Sequence, residues 1–316
     1  NRFVLREGID APWLAYGVLA TVFGSLQSYL QSGGRLLRAY PGLESVTIQD
    51  HGGCLDQRTE ILTQRGWVGI DAMSEDDSIG TLNLETNRFE WCQNEGTIRR
   101  ECDSEMLQIA TPHLNLRVTD YHQMVMRPDL RSWQWKKVSA GELAKRNSNW
   151  VIPTSGCEEV CGAALSDAEI GFIGWYLTDG CLSEARIRIY QSANAPEKHH
   201  KHIITCIEGC GFRYSIRRRT RPSPFGGDPT TEVSYNVSSG RKSKGGWTHL
   251  TLWLDKSFPL EQFNQLDRRQ FGVLLEAMNL GDGLKHSGYE QHTISLAVGR
   301  KEVADNIQSL AVRRGH

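Results

Sequence analysis

Cys54 has a sequence setting that favours nucleophilic chemistry. It follows Gly52 and Gly53 and opens the segment CLDQRTEILTQRGWVGI. Glycine has no Cβ, so a thiolate at position 54 has open access to the carbonyl of Gly53. Downstream, LRVTDYHQMVM places Thr119 and His122 in T-x-x-H spacing. Thiolate attack would convert the Gly53–Cys54 peptide bond to a thioester, and a histidine can protonate the departing nitrogen near neutral pH.

Two aspartates end two apolar segments, SDAEIGFIGWYLTDG and DRRQFGVLLEAMNLGDG. An acidic residue in the last helical turn opposes the helix dipole, so finding Asp179 and Asp282 there suggests a site that needs carboxylates. Gly174 and Ala277 would let the two helices pack closely, bringing the aspartates together. Two close carboxylates sharing divalent metal ions can activate water against a phosphodiester. Two unrelated core helices with ordinary Asp-Gly ends are the alternative.

The elements that must position these residues are also visible in the sequence. Ser166 with Glu169 and Asp267 with Gln270 have the spacing of capping boxes, so each apolar segment is expected to begin a helix there. Glycine follows each helix, as is usual at a helix end. EILT and WVGI predict short strands joined by a turn, and ARIRIY and RYSIRRRT predict further strands.

Arginines concentrate in RYSIRRRTRPSP, the segment after the first Asp-Gly helix. Such a run is commonly a solvated face, but inside a DNA-acting domain it would contact phosphates and guanine edges. The candidate DNA-binding residues are Arg213, Arg217, Arg218, Arg219 and Arg221. Residues 161–316 hold 20 Lys and Arg against 16 Asp and Glu, whereas the whole chain carries a net charge of -1. This mildly basic half is compatible with DNA contact.

A second arginine pattern lies near the beginning of the sequence. QSGGRLLRA sets Gln31, Arg35 and Arg38 in Q-x-x-G-R-x-x-R spacing. Arginines three residues apart share one face of a helix, and guanidiniums suit the charge that spreads in phosphoryl transfer. A solvated arginine pair after a flexible Gly-Gly is the alternative.

Composition is typical of a globular protein, with 39% hydrophobic and 23% charged residues among 316. The apolar runs are all shorter than a membrane span, and no signal segment follows Asn1, so a cytoplasmic protein is expected. The eight cysteines are expected to be free thiols. Cys206 and Cys210 fit buried structural positions better than metal ligation, because C-x-x-C spacing is absent.

Three family resemblances follow from these motifs. The Cys54 segment and the Thr119–His122 segment resemble the first two splicing blocks of inteins. FIGWYLTDG and LEAMNLGDG resemble the paired signatures of LAGLIDADG (DOD-type) homing endonucleases. VLREGIDAP, taken with the Gln31 segment, resembles motifs V and VI of superfamily-two helicases.

The resemblances imply a multidomain fold. Residues 1–53 would be a fragment of an α/β RecA-like helicase domain, in which Gln31, Arg35 and Arg38 bind nucleotide. Residues 54–157 would form an all-β Hint splicing domain with Cys54, Thr119 and His122 as catalytic residues. Residues 158–316 would form an α+β endonuclease with Asp179 and Asp282 as catalytic metal ligands. DKSFP resembles the lysine block of the endonucleases and makes Lys256 a third catalytic candidate, although a solvated lysine fits this short motif equally well.

The same resemblances imply the cofactors and partners. The endonuclease would use Mg²⁺, splicing would need no cofactor, and the intact host helicase would use ATP and nucleic acid. The DNA partner would be double-stranded and would span the intein-free helicase gene site, bound by a pseudo-symmetric monomer. A protein of this kind has no membrane partner.

Two other functions remain open from the sequence. One is a splicing element whose decayed endonuclease only binds DNA, and the other is a helicase with a structural β insert. The closing splicing blocks, which end in His-Asn before Cys, Ser or Thr, do not occur in the 316 residues. The chain is therefore expected to be a fragment at both ends, in which Cys54 begins the splicing reaction without completing it.

Overall fold

The computed structural model describes most of the chain from Cys54 onward and two short strands before it. The described residues are 16–19, 47–50, 54–94, 96–97, 105–111, 114–132, 134–183, 186–222, 229–238, 246–283 and 294–316. They form two compact units. The first takes its residues from Asn1–Glu60, Gly69–Met73 and Gly96–Pro153, and the second from Ile61–Val68, Ser74–Glu95 and Thr154–His316. The predicted helicase residues Gln31, Arg35 and Arg38 lie outside the described residues.

The described residues form fourteen strands and six α-helices. The strands are β1 (Tyr16–Leu19), β2 (Thr47–Asp50), β3 (Glu60–Thr63), β4 (Gly66–Gly69), β5 (Ser78–Asn83), β6 (Arg88–Gln93), β7 (Met106–Thr111), β8 (Leu114–Thr119), β9 (Gln123–Met126), β10 (Lys136–Ser139), β11 (Gly180–Ser183), β12 (Arg186–Ser192), β13 (Tyr214–Arg221) and β14 (Thr230–Ser238). The helices are α1 (Ala140–Ala144), α2 (Asp167–Asp179), α3 (Glu197–Gly209), α4 (Leu260–Phe263), α5 (Arg268–Asp282) and α6 (Lys301–Arg314). Short 3₁₀ segments span Ile70–Ala72 and Trp247–Trp253.

The described residues of the first unit form three two-stranded pairings. β7 pairs with β8 and β9 with β10, both antiparallel, while β1 and β2 run parallel. Strands β8 and β9 and helix α1 form a small core from the side chains of Val118, Met124, Met126, Ala140 and Leu143. The segment expected to be all-β thus also contains a short helix, whose first turn is capped by the Ser139 hydroxyl.

The second unit holds two four-stranded sheets and the larger core. Their strand orders are β4-β3-β5-β6 and β11-β12-β14-β13. The compact units therefore divide the chain differently from the sequence-based boundary at 157/158, because strands β5 and β6 group with the helices rather than with Cys54. The Hint and LAGLIDADG folds remain predictions for a protein that is mixed α/β with mainly antiparallel strands.

Both predicted capping boxes are present at the beginnings of α2 and α5. The Ser166 hydroxyl accepts from the Glu169 backbone N–H, and the Glu169 carboxylate accepts from the Ser166 N–H in return. Asp267 and Gln270 form the same reciprocal pair before α5. Each box satisfies two backbone donors that a helix beginning leaves open, which fixes where the helix begins.

Helices α2 and α5 pack closely through small residues, as expected from Gly174 and Ala277. A Cβ on Gly174 would lie 2.7 Å from the Ala277 Cβ and 3.0 Å from the Leu274 carbonyl oxygen. Only glycine fits at this crossing. Because the two helices pack closely here, Asp179 and Asp282 at their ends lie near enough for their charges to interact.

The glycines that follow the two helices are required for space and not for a left-handed conformation. Gly180 has φ -94° and Gly283 has φ -70°, values that any residue can adopt. A Cβ at position 180 would lie 2.5 Å from the Tyr176 carbonyl oxygen, and one at 283 would lie 2.1 Å from the Asn279 carbonyl oxygen. Glycine at each position lets the chain leave the helix directly past its last turn.

The described helices include none that is both long enough and apolar enough to cross a membrane.

Candidate functional site

The first candidate site, here the thiol site, consists of Cys54, Thr119 and His122 in the first unit. The Cys54 backbone N–H donates to the Thr119 hydroxyl at 2.8 Å, and the Thr119 N–H donates to the Cys54 carbonyl at 3.0 Å. Leu55 pairs with Val118 in an antiparallel bridge that continues this contact. The structure therefore brings together two residues that lie 65 positions apart in the sequence.

The nitrogen that Thr119 contacts is the one that would depart in the predicted reaction. A hydroxyl that accepts from this N–H fixes the orientation of the amide, and the same oxygen can stabilise the amine that forms. Thr119 is 7% exposed, so bulk water competes little for the bond. Its position follows from β8, where Val118 points into the core and Thr119 is the last residue of the strand.

His122 is attached to the same turn through the backbone. Its N–H donates to the Thr119 carbonyl at 3.0 Å, and its own carbonyl accepts from the Ala140 N–H at 2.8 Å. The turn is packed closely against the beginning of α1, because a Cβ on Gly141 would lie 1.8 Å from an Asp120 carboxylate oxygen. The T-x-x-H turn is thus held from both β8 and α1.

The second candidate site, here the carboxylate site, consists of Asp179, Asp282 and Lys256 in the second unit. Burial and the nearby charge of Asp282 together raise the pKa of Asp179 to about 6, while the charge of Lys256 and a side-chain hydrogen bond with Thr178 act to lower it. The Oδ2 atom of Asp179 is buried and has no hydrogen-bond partner among the described residues. Asp282 is exposed. In Asp179 the charged form of the carboxylate is therefore disfavoured, whereas the carboxylate of Asp282 is accessible to water.

Lys256 reaches this site from the segment before α4. Its Nζ donates to the Thr178 carbonyl at 3.3 Å and lies 5.5 Å from the centre of the Tyr176 ring. Burial lowers the pKa of Lys256, although Asp282 and Asp179 both act to raise it. Lys256 is exposed and lies beside the two carboxylates, so the solvated lysine and the functional lysine of the sequence-based prediction both stay open.

A cleft of about 250 Å³ opens beside these residues. It is lined by Thr178, Lys256 and Asp282 on one side and by residues around the beginning of α6 on the other, including Val298 and Arg300. Polar groups therefore converge on one part of a largely apolar cleft, which is the usual composition of a binding site. Asp179 is not among its lining residues.

The carboxylate site fits a divalent cation in part. The unpaired Oδ2 of Asp179 and the exposed carboxylate of Asp282 are hard oxygen donors, which Mg²⁺ prefers. The described residues contain no group of three or more His, Cys, Asp and Glu side chains that could hold a metal ion. Two carboxylates would therefore hold a cation only together with water and substrate oxygens, which is common for Mg²⁺ at phosphate sites.

The predicted DNA-binding arginines divide between two faces of the β11-β12-β14-β13 sheet. Side chains alternate along a strand, and residues directly opposite share a face. Arg217 and Arg219 pair with Ser234 and Glu232, whereas Arg218 pairs with the buried Val233. Arg221 shares the first face, and Arg213 precedes the strand.

The face that carries Arg217, Arg219 and Arg221 also holds Arg186 and Arg188 from β12, because these pair with Ser238 and Asn236. The sequence did not single out these two residues. Arg221 is bound to Glu232 at 3.3 Å. Arg217, Arg219 and Arg221 of the predicted run therefore belong to a basic sheet face, and hydrophobic residues cover the other side of the sheet.

The cysteine prediction is confirmed for the described residues. All described cysteines are free thiols. Cys206 lies in the second core, and burial raises the pKa of Cys206 and of Cys210 to about 12. A thiol that resists ionisation is a poor metal ligand, which supports the structural assignment of both residues.

Comparisons with known proteins give one distant likeness. No family model matches this chain. Ribonucleoside-diphosphate reductase subunit beta from Aquifex aeolicus (strain VF5) is 28% identical over 105 residues, which cover 33% of this chain. The aligned part spans 15% of that protein's length. This is a similarity to part of a longer protein, and it shows no family for the chain.

Proposed function

We propose that the chain carries an autocatalytic protein-splicing element, acting at Gly53–Cys54, together with a site-specific DNA endonuclease of the LAGLIDADG type. The observation that carries the splicing proposal is the 2.8 Å hydrogen bond from the Cys54 N–H to the Thr119 hydroxyl. It joins the two segments that resemble splicing blocks, at the atom where the predicted bond would break. A structural β insert would also bring the two segments together through the Leu55–Val118 bridge, so the cleavage test below separates the two functions.

The proposed step is an N-to-S acyl shift. The Cys54 thiolate attacks the Gly53 carbonyl carbon, and the carbon–sulfur bond of a thioester forms as the carbon–nitrogen bond breaks. The Cys54 nitrogen leaves as an amine and takes a proton, for which His122 is the proposed donor. Thr119 holds this nitrogen throughout, and no cofactor takes part.

The splicing proposal is tested by thiol cleavage of the purified chain. Dithiothreitol attacks a thioester, so we expect release of a fragment that ends at Gly53, detected by intact-mass spectrometry. Cys54→Ala should release nothing. His122→Ala should slow release by ~100-fold or more, whereas His113→Ala serves as a matched histidine control. An unchanged mass for the folded wild-type chain would contradict the proposal.

For the second unit, the supporting observation is the pair of close-packed capped helices that end at Asp179 and Asp282. Asp282 and Lys256 line one cleft, and Asp179, whose charge interacts with both, has a raised pKa and an unpaired oxygen; these three groups suit phosphodiester hydrolysis. A divalent cation bound there would supply charge stabilisation and an activated water. Asp179 and Asp282 would hold it, and Lys256 would stabilise negative charge on the phosphate.

Double-stranded DNA spanning the uninterrupted helicase junction is the proposed substrate, bound by a pseudo-symmetric monomer. We expect Mg²⁺-dependent double-strand cleavage that Asp179→Ala abolishes. Replacement of Arg219 by Ala should weaken DNA binding more than the same change at Arg218, because the two side chains leave opposite faces of the sheet. Equal losses at both positions would argue against the basic face as the DNA contact.

A decayed endonuclease is the alternative that the same experiment separates. It would bind the junction DNA in a gel-shift assay and leave it uncut with Mg²⁺. The host protein is proposed to be an ATP-dependent superfamily-two helicase in the cytoplasm, on the residues of 1–53 that resemble motifs V and VI. Its nucleotide-binding residues would be Gln31, Arg35 and Arg38.

A further inference from the structure

The segment that presents Lys256 is a tight turn with an unusual backbone conformation. Phe258 has φ 54°, in the left-handed region that residues other than glycine rarely adopt. The Phe258 N–H closes the turn by donating to the Asp255 carbonyl at 3.0 Å. Strained backbone of this kind persists only where its surroundings hold it, and it concentrates at functional sites.

Two side chains from the α6 region hold this turn by its carbonyl groups. Arg300 Nη2 donates to the Lys256 carbonyl at 2.8 Å, and Asn306 Nδ2 donates to the Phe258 carbonyl at 3.0 Å. The Phe258 ring is 1% exposed and stacks on Phe263 at 3.9 Å between centres. Both ends of the turn are thus fixed to α6, and the aromatic ring is fixed to α4.

We propose that Arg300 and Asn306 are positioning residues, which hold the Lys256 side chain in the cleft beside Asp282 by fixing the main chain that carries it. This inference rests on the proposed endonuclease function. A lysine side chain has four rotatable bonds, so its ammonium is placed only if its root is fixed. In the structure, the Lys256 ammonium lies between the Thr178 carbonyl and the Tyr176 ring.

Asn306 separates positioning from direct substrate contact. Arg300 lines the cleft, so a change there would also remove a cation that could touch phosphate. Asn306 is not among the cleft-lining residues, and its amide is engaged with the Phe258 carbonyl. An effect of Asn306 on the reaction would therefore act through the turn. Gln308 is an exposed polar residue two positions further along α6 and provides a matched control.

The functional arm measures cleavage of junction DNA with Mg²⁺ under single-turnover conditions. We expect Asn306→Ala and Arg300→Gln to lower the rate at saturating DNA by ~10-fold, because a displacement of about 1 Å at a reacting group is costly. DNA affinity measured without Mg²⁺ should change less than ~2-fold for Asn306→Ala, and Gln308→Ala should match wild type. Arg300→Lys keeps one donor and should recover part of the rate. Equal rates in wild type and Asn306→Ala would overturn the proposal.

The structural arm does not depend on cleavage. In protein with ¹³C-labelled lysine, the ε-methylene resonance of Lys256, assigned by its loss in Lys256→Met, reports the nearby Tyr176 ring. We expect it to move toward the position of a free lysine in Asn306→Ala and Arg300→Gln and to stay in Gln308→Ala. If the wild-type chain cuts no DNA, the endonuclease function fails. The resonance alone then tests whether Arg300 and Asn306 hold the Lys256 side chain in place. An unmoved resonance in both variants would overturn the proposal.

Discussion

Two partly buried carboxylates of the second unit, Glu158 and Asp179, have opposite electrostatic outcomes. Burial acts to raise the pKa of both. For Glu158 the charge of Arg313 and hydrogen bonds from Arg314, Trp91 and Arg313 outweigh burial, so the pKa of Glu158 is lowered. For Asp179 the charge of Asp282 adds to burial, and Lys256 and Thr178 do not outweigh them, so the pKa of Asp179 is raised to about 6.

The contacts show why. Glu158 Oε2 accepts from Arg313 Nε at 2.8 Å and from Arg314 Nη1 at 2.6 Å, and its Oε1 accepts from Trp91 Nε1 at 2.9 Å. Asp179 Oδ2 is buried without any such partner in the described structure. Removing one partner of a buried ion pair is costly because it leaves an uncompensated charge, whereas a buried oxygen without a partner is itself a cost to the folded state. Glu158 therefore has the environment of a structural residue, and Asp179 has an environment that agrees with the proposed metal-ligand role.

The largest expected effect is on Glu158. Replacing it with Gln leaves Arg313 and Arg314 buried with no opposing charge, and we expect the free energy of unfolding to fall by about 3 kcal/mol. Denaturant unfolding followed by tryptophan fluorescence measures this change. Glu159→Gln is the matched control, because Glu159 forms an exposed pair with Arg88 and should matter little. Equal free energies of unfolding for Glu158→Gln and Glu159→Gln would contradict the structural role assigned to Glu158.

Asp179→Asn should act in the opposite direction. Between pH of about 4 and about 6 the folded state binds more protons at Asp179 than the unfolded state does, so wild-type stability falls as pH rises through this window. The substitution removes that loss, and we expect a gain of about 1–2 kcal/mol at pH 7, reduced for partial solvent access, and none at pH 4. Thermal unfolding across this pH range measures it.

Glu276→Gln, an exposed change on α5, is the control for the Asp179 substitution and should show no such pH dependence. A loss of stability in Asp179→Asn at pH 7 would contradict the assigned burial effect.

Mg²⁺ should partly offset the cost of ionised Asp179. At a cation concentration tenfold above the dissociation constant, a ligand that binds only the folded state stabilises it by about 1.4 kcal/mol. We expect the melting temperature of the wild type to rise with Mg²⁺ at pH 7 and that of Asp179→Asn to stay constant, with ionic strength matched by NaCl. A parallel rise in both proteins would place the cation elsewhere.

The smallest expected effect separates the two causes of the Asp179 shift. Asp282→Asn removes the like charge and leaves the burial, so the pKa of Asp179 should fall from about 6 yet stay above its usual range. The ¹³C carboxyl resonance of Asp179 followed by NMR titration measures this. A complete return to the usual value would mean that Asp282, rather than burial, dominates.

Local sequence determined the helices and strands that carry both sites. The capping boxes of α2 and α5 depend on residues three apart, so they were visible in the sequence and are present in the structure. The close crossing at Gly174 and Ala277 followed from residue size at matching positions of two helices. Strand alternation was equally readable and separates Arg217 from Arg218, although the partner strand was needed to show which of them shares a face with the buried Val233.

Only the tertiary structure decided how each carboxylate is used. Glu158 and Arg313 lie 155 residues apart, and no local pattern links them, because their pairing depends on how α6 packs against the segment that carries Glu158. The same holds for the turn at Phe258, whose conformation is fixed by Asn306 from 48 residues away. The sequence by itself determined which residues could react and which helices carry them. The packing of helices left the Oδ2 of Asp179 buried without a partner in the described structure, and the pairing of Leu55 with Val118 placed Thr119 against the nitrogen of Cys54.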